Sequence, residues 1–218
     1  MMDKSTKRTL AISGSAVGLT ALAALVWWIT KRRRENVVLG TGSTGGNIVT
    51  AAVQTVVDAT HSAMGQSYFT LSELTRSATA QANGIDNTPS PEIRAKLEAL
   101  ITNCLDPIRR IYGKPIIVSS GYRCPELNAM VGGVSSSQHT KGEAADLVPA
   151  SGGSLAALAR AVVQFGNFDQ LILEQSGKSK WIHVSWRSSG NRHKILAYKN
   201  GRYTDITNSW ESYLSSWA

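Results

Sequence analysis

"SSQHTKGEAAD", residues 136–146, places His139 seven residues ahead of Asp146, among glycine and other small residues. The chain has only four histidines. An imidazole nitrogen and a carboxylate oxygen are ordinary zinc ligands. Gly142 and the alanines at 144–145 let the backbone bend tightly and come close to a bound ion. Further on, "WIHVSW" (181–186) reads as a strand. It alternates Trp181, His183 and Ser185 on one face with Ile182 and Val184 on the other, and a strand would hold His183 rigidly. His139, Asp146 and His183 are therefore candidate metal ligands. The HExxH spacing is absent, because Glu143 lies four residues after His139. Spacing alone is weak support, since a loop histidine and a surface aspartate fit it as well.

The surrounding pattern is that of an α+β domain. Ser90 and Pro91 open a helix whose apolar positions Ile93, Leu97, Leu100, Ile101, Cys104 and Leu105 share a face, with Pro107 as a kink and Gly113 as its end. "FTLSELTRSATAQANG" (69–84) reads as a strand-like lead and a short helix capped by Ser72 and ended by Gly84. "PIIVSSGYR" (115–123) is a buried strand breaking at Gly121, and "PELNAMVGG" (125–133) is a helical turn. Ser154 starts an amphipathic helix. "FDQLILE" (168–174), "WIHVSW" and "KILAYKNGRY" (194–203) are strands, the last entering an Asn-Gly turn. The expected fold is a small antiparallel sheet with flanking helices, preceded by an N-terminal transmembrane helix. Rossmann and P-loop signatures are missing.

The net charge is +8. Residues 1–35 hold seven Lys/Arg and two acids, which leaves 16 basic and 13 acidic residues for the remainder. The basic character is thus concentrated around the N-terminal apolar stretch, which argues against a nucleic-acid partner. Thr9 to Thr30 has no charged residue over 22 positions. As a helix it would be about 33 Å long, enough to cross a hydrocarbon core of about 30 Å. Trp27 and Trp28 suit the interface, and "KRRR" follows at once. An uncleaved anchor fits better than a signal peptide or a buried helix. Four basic residues follow the span and three with an acid precede it, so the positive-inside rule places the large domain in the cytoplasm; the charge difference is small and orientation stays open. The expected organisation is an anchor over 1–35, a Gly/Ser-rich linker and stalk helix over 36–67, and a folded domain over 68–218. Cys104 and Cys124 are too far apart for a CxxC knuckle, and whether they pair is open. His61 reads as solvated or packed, and His193 as solvated or at best a substrate contact.

The string SGYR (120–123), ELN (126–128), GG (132–133), SQHxxGxAxD (137–146) and WIHVSW resembles the M15 family of zinc peptidases, the group of D-Ala-D-Ala carboxypeptidases and endolysins. Within it, the resemblance is closest to the zinc D-Ala-D-Ala carboxypeptidase branch. It spans roughly 69–203 and implies the wider fold shared with the hedgehog signalling domain. It implies zinc on His139, Asp146 and His183, with Arg123 and Ser137 gripping a substrate carboxylate or carbonyl. A guanidinium in a loop after a strand can make that grip bidentate. Tyr122 and Trp181 are candidates to line a groove, with core packing an equal alternative. Several relatives place an acid three residues before the last histidine, where this chain has Lys180, and others a histidine at the position of Trp181. Glu174, at the end of "FDQLILE", resembles the zinc-adjacent glutamate of the hedgehog domain and is the candidate base. The function implied is hydrolysis of peptidoglycan stem or cross-bridge peptides at a membrane, by a carboxypeptidase or an endopeptidase, as in a phage virion, a prophage lysis factor or bacterial wall remodelling. A wall enzyme would face outward, against the placement by flanking charge. The alternative is a non-catalytic zinc-containing wall-binding or structural module.

Overall fold

The computed structural model describes residues 65–150 and 152–217. The expected anchor at 9–30 and nearly all of the 36–67 linker and stalk lie outside the described residues. Among the described residues no helix is long and apolar enough to cross a membrane.

The chain enters through two short helices, α1 (Leu71–Thr75) and α2 (Ala78–Ala82). Thr70, rather than Ser72, caps the first. Its hydroxyl accepts from the Glu73 amide while Glu73 reaches back to the Thr70 amide, a reciprocal capping box. Ser77 caps α2. The expected strand-like lead at 69–70 is this cap. Helix α3 (Pro91–Leu100) starts at the Ser90 cap with proline in its first turn. It widens into a π-turn over Ile101–Leu105 and continues as α4 (Asp106–Tyr112). Pro107 explains the widening. It has no amide proton and its ring crowds the carbonyl one turn back, so the Asp106 amide bonds the Ile101 carbonyl instead. Gly113 ends α4 at φ 68°.

Six strands follow: β1 (Ile116–Ser120), β2 (Ala144–Pro149), β3 (Gln170–Ser176), β4 (Ser179–Ser185), β5 (Lys194–Lys199) and β6 (Arg202–Asp205). Helices α5 (Pro125–Met130), α6 (Leu155–Phe165) and α7 (Trp210–Trp217) punctuate them. The sheet order is β1-β2-β4-β3-β5-β6. One face is apolar. Leu147, Leu171, Leu173, Ile182 and Val184 join Leu158 and Val162 of α6 and the buried stripe of α3–α4 in one core. The opposite face carries Asp146, His183, Trp181 and Glu174, as the period of two requires.

The expectation of an antiparallel sheet needs one correction, because β3 and β5 run parallel. β4 returns to the end where β3 began, and residues 186–193 hop over that start. Asp169 staples the hop. Fully buried, it accepts from Arg187 Nη2 at 2.9 Å and from the Arg192 amide at 3.0 Å. Its own carbonyl accepts from the Lys194 amide at 3.1 Å. Burial pushes this carboxyl up, but the hydrogen bonds from the Arg192 side chain and amide and from Gln138 outweigh it and hold it at about 2. β5 and β6 join through Asn200 and Gly201, both at positive φ (52° and 76°), the requirement of a type I′ hairpin. Cys104 is buried, Cys124 half-buried, and both are free thiols.

Asp169→Ala removes the one buried carboxylate that joins Gln138, Arg187 and Arg192 and should cost about 2 kcal/mol. Ile117→Ala, at a side chain 48 % exposed, should stay within about 0.5 kcal/mol. Urea unfolding of both variants checks the contrast.

Candidate metal centre

Strand register builds the centre. Asp146 of β2 lies directly opposite His183 of β4. Opposed residues of an antiparallel pair project to the same face with Cβ atoms about 5 Å apart. On the other side of Asp146, β1 carries a bulge between Val118 and Ser120. The Ser119 hydroxyl there donates to the Asp146 carbonyl at 3.1 Å. The bulge ends the strand and sends the chain through Gly121 towards the site. His139 comes from a 3₁₀ turn, Gln138–Lys141, capped by the Ser137 hydroxyl and closed by Gly142 at φ 70°.

Three atoms converge. His139 Nε2 is 3.1 Å from His183 Nδ1 and 3.2 Å from Asp146 Oδ1, and His183 Nδ1 is 3.1 Å from the same oxygen. Ligands about 2.0–2.1 Å from a tetrahedral zinc lie about 3.3 Å apart, so the triangle matches one face of such a site. The outer nitrogen of His139 fixes the tautomer. Nδ1 donates to the Gly121 carbonyl at 2.6 Å, which leaves the Nε2 lone pair for an ion. All three side chains are buried. Burial would raise the Asp146 carboxyl, but the imidazoles of His139 and His183 outweigh it and hold the group far below the usual carboxylate range. A carboxylate that stays ionised, two imidazoles and a fixed tautomer form a donor set suited to a divalent metal.

Two other elements hold this loop pair. The Asn87 side chain donates to the carbonyls of Thr75 and Tyr122 and accepts from the Cys124 amide at 2.7 Å. Gly121 runs so close to α1 that a Cβ there would sit 2.1 Å from the Leu74 carbonyl oxygen. Gln138, next to His139, donates to Asp169 at 2.9 Å. The staple of the fold therefore also holds the loop of a ligand.

The other expected site residues fall in different places. Arg123 Nη2 is 3.8 Å from Asp146 Oδ2, its Nε is buried without a hydrogen-bond partner, and its amide donates to the His139 carbonyl. A cation with spare donors thus borders the triangle. Glu174 pairs with Trp181 across β3 and β4, two residues along from the Ile172–His183 pair, on the same face as the ligands. Burial, then the charge of Asp146, pushes Glu174 up to about 7, against the partial offset of His183 and Arg123. Ser137 serves the backbone, with its hydroxyl accepting from the His139 amide at 3.3 Å. Tyr122 packs in the core and is only 7 % exposed. Lys180 points to the opposite face, where its ammonium bonds the Trp217 carbonyl and lies over the Trp217 ring. His193 adopts φ 55° and packs edge-on against Phe168.

Asp169, Gln138 and Asn87 were not singled out by the sequence. An aspartate just before an apolar strand is their one visible trace. A backbone acceptor such as the Gly121 carbonyl leaves no trace at all.

Asp146→Ala should abolish stoichiometric metal binding, read by elemental analysis of the purified chain, while circular dichroism stays that of a folded α+β protein. The raised Glu174 carboxyl has a second consequence in metal-free protein. Its neutral form is favoured by the fold, so its contribution to stability is complete below its ordinary 4.5 and is lost as pH rises through about 7. Metal-free Glu174→Gln should therefore melt higher than metal-free wild type at pH 8, and the gap should close by pH 4.5. Thermal melts at the two pH values decide this.

The sequence profile of the Peptidase M15 family matches residues 67–185, more than half of the 218-residue chain, and that segment contains His139, Asp146, Glu174 and His183. A search of curated proteins finds no match. On this match, over the segment that builds the metal triangle, the chain belongs to the peptidase M15 family.

Proposed function

We propose that this chain is a zinc-dependent peptidase of bacterial cell walls, hydrolysing peptide bonds in peptidoglycan stem or cross-bridge peptides. The observation that carries the reading is the pairing, on one sheet face, of a His-Asp-His triangle with a carboxyl raised to about 7. A structural metal needs no such neighbour, whereas amide hydrolysis needs a proton acceptor poised near neutrality. His139, Asp146 and His183 would hold the ion. When bound, zinc supplies Lewis acidity to the peptide carbonyl and to the hydrolytic water.

The remaining work belongs to the side chains around it. Glu174 takes a proton from the attacking water and returns it to the leaving amine, so that peptide and water become a carboxylate and an amine. Arg123, cationic and with an unpartnered buried Nε, binds the substrate carboxylate or the oxygen that gains charge as the bond breaks. Trp181, beside Glu174 in the ladder, forms a wall of the groove. The resemblance to wall-degrading carboxypeptidases and endolysins supports the substrate class, and Arg123 suits either a terminal carboxylate or an internal carbonyl. The apolar run 9–30 and its basic flanks support a membrane tether, and the wall substrate, rather than the flanking charge, is what calls for a domain facing the wall, in a bacterium or a phage particle. Lys180, turned to the other face, leaves the role of base to Glu174.

The test is to incubate the zinc-loaded chain with purified peptidoglycan and follow new amino groups and fragment masses. New amines support the peptidase, and the masses name the bond. One zinc per chain without cleavage, on walls of several chemotypes, would favour a non-catalytic wall-binding module. Glu174→Gln should keep zinc and lose about 10²–10⁴-fold in kcat. In wild type, kcat/KM should rise with pH as Glu174 loses its proton. The inflection should lie between 4.5 and about 7, because a nearby dication partly offsets burial. That limb should vanish from the residual activity of the variant.

A further inference from the structure

Beyond the matched segment, the β5–β6 hairpin extends the sheet face that carries the metal triangle. Its register gives a row of four side chains. Trp181 opposes Glu174, Glu174 opposes Tyr198, and Tyr198 opposes Tyr203. Side chains opposed in register share a face, so the row runs alongside Asp146 and His183 from the centre to the sheet edge. The rings of Tyr198 and Tyr203 stand 4.6 Å apart, tilted by 44°. Tyr198 thus props Tyr203 from the side. The Tyr203 residue is 53 % exposed.

The phenol of Tyr203 belongs electrostatically to the centre. Burial of the hydroxyl, then the charges of Glu174 and Asp146, push it up, while Arg123 pulls the other way. Register places Tyr203 on the face of the metal triangle, in the row that contains Glu174, and about half of the residue is open to solvent. It therefore has the form of a side chain placed to meet a ligand. It also stays protonated at neutral pH, so it is a hydrogen-bond donor.

We infer that Tyr203 is a substrate-contacting residue: its hydroxyl donates a hydrogen bond to a carbonyl or carboxylate oxygen of the bound peptide, across the cleft from Arg123, and its ring with Trp181 walls the intervening stretch. This rests on the peptidase reading of the site and adds a specificity element from a hairpin outside the family match. The two donors differ in kind. Arg123 brings full charge, while Tyr203 brings a directional neutral contact on an aromatic wall, which suits a peptide backbone held extended beside Glu174.

The test compares Tyr203→Phe, which removes only the hydroxyl, with Tyr203→Ala, which removes the wall as well. Zinc content and melting temperature of Tyr203→Phe should equal those of wild type. Binding of a purified stem peptide is measured by calorimetry in the zinc-loaded Glu174→Gln background, where turnover does not interfere. Tyr203→Phe should weaken Kd by about 3–10-fold, the range of one neutral hydrogen bond, and Tyr203→Ala by more. In active enzyme the loss should fall on KM when the contact is equal in ground and transition states, and on kcat when it strengthens at the transition state. Unchanged Kd, KM and kcat in Tyr203→Phe overturn the inference while leaving the peptidase intact. Binding without turnover in wild type overturns the peptidase and still tests Tyr203 through Kd. Absence of binding to stem peptides by any form overturns both.

Discussion

Three electron-rich atoms, one from each of His139, Asp146 and His183, are held within 3.2 Å of each other in a buried site. Holding them this close costs energy unless a proton or a metal ion is shared between them, because otherwise lone pairs face lone pairs where water cannot intervene. The fold accepts the cost by fixing each ligand with interactions that would persist without an ion. Asp146 and His183 are locked by backbone register. His139 is locked by the Gly121 carbonyl behind its ring. The preformed triangle means that ion binding has little ordering entropy to overcome, as expected of a centre built on strands.

The Gly121 carbonyl shows how far the constraint reaches. It can receive His139 only because the chain passes against α1 with no side chain between, the Tyr122 amide bonding the Leu74 carbonyl. Asn87 then ties the next residues of the same loop to α1. On the opposite side, Gln138 ties the His139 turn to Asp169, and Asp169 ties the start of β3 to the arginine loop. The sheet topology and the orientation of the first ligand therefore share one buried carboxylate. A change at Asp169 acts on both, and stability and metal affinity are coupled there.

Much of this was legible in the sequence, for physical reasons that differ by element. The α3 stripe, the Ser90 and Ser154 caps, Gly113 and the Asn-Gly hairpin are local matters, and local chemistry announces them. The ligands were legible as a set only through the resemblance, because sequence spacing does not encode the β2–β4 register that joins Asp146 to His183. The parallel β3–β5 pair was not legible. Its cause is a hop of eight residues stapled by tertiary ion pairs, and short strands joined by short loops read naturally as antiparallel. Tyr122 fitted a groove wall and the core equally well in the sequence, and its neighbour Arg123 does not decide between them. Strand breakage at Gly121 turns the two in different directions, one into the core and one to the site.

The position of Lys180 bears most on mechanism. A lysine where relatives have an acid looks, in the sequence, like a lost base. In the ladder β4 runs without a bulge, so residue 180 falls on the face opposite His183 and its ammonium goes to the carbonyl and ring of Trp217. An acid there would be buried against the last helix and could not reach a water at the metal triangle. Glu174, on the neighbouring strand and on the correct face, has the burial and the carboxylate neighbour that raise its proton affinity to about 7. Glu174 thus stands on the ligand face, while residue 180 is left to pin the C-terminal helix from the other. Lys180, placed on the far face, therefore carries no argument against the proposed base at Glu174.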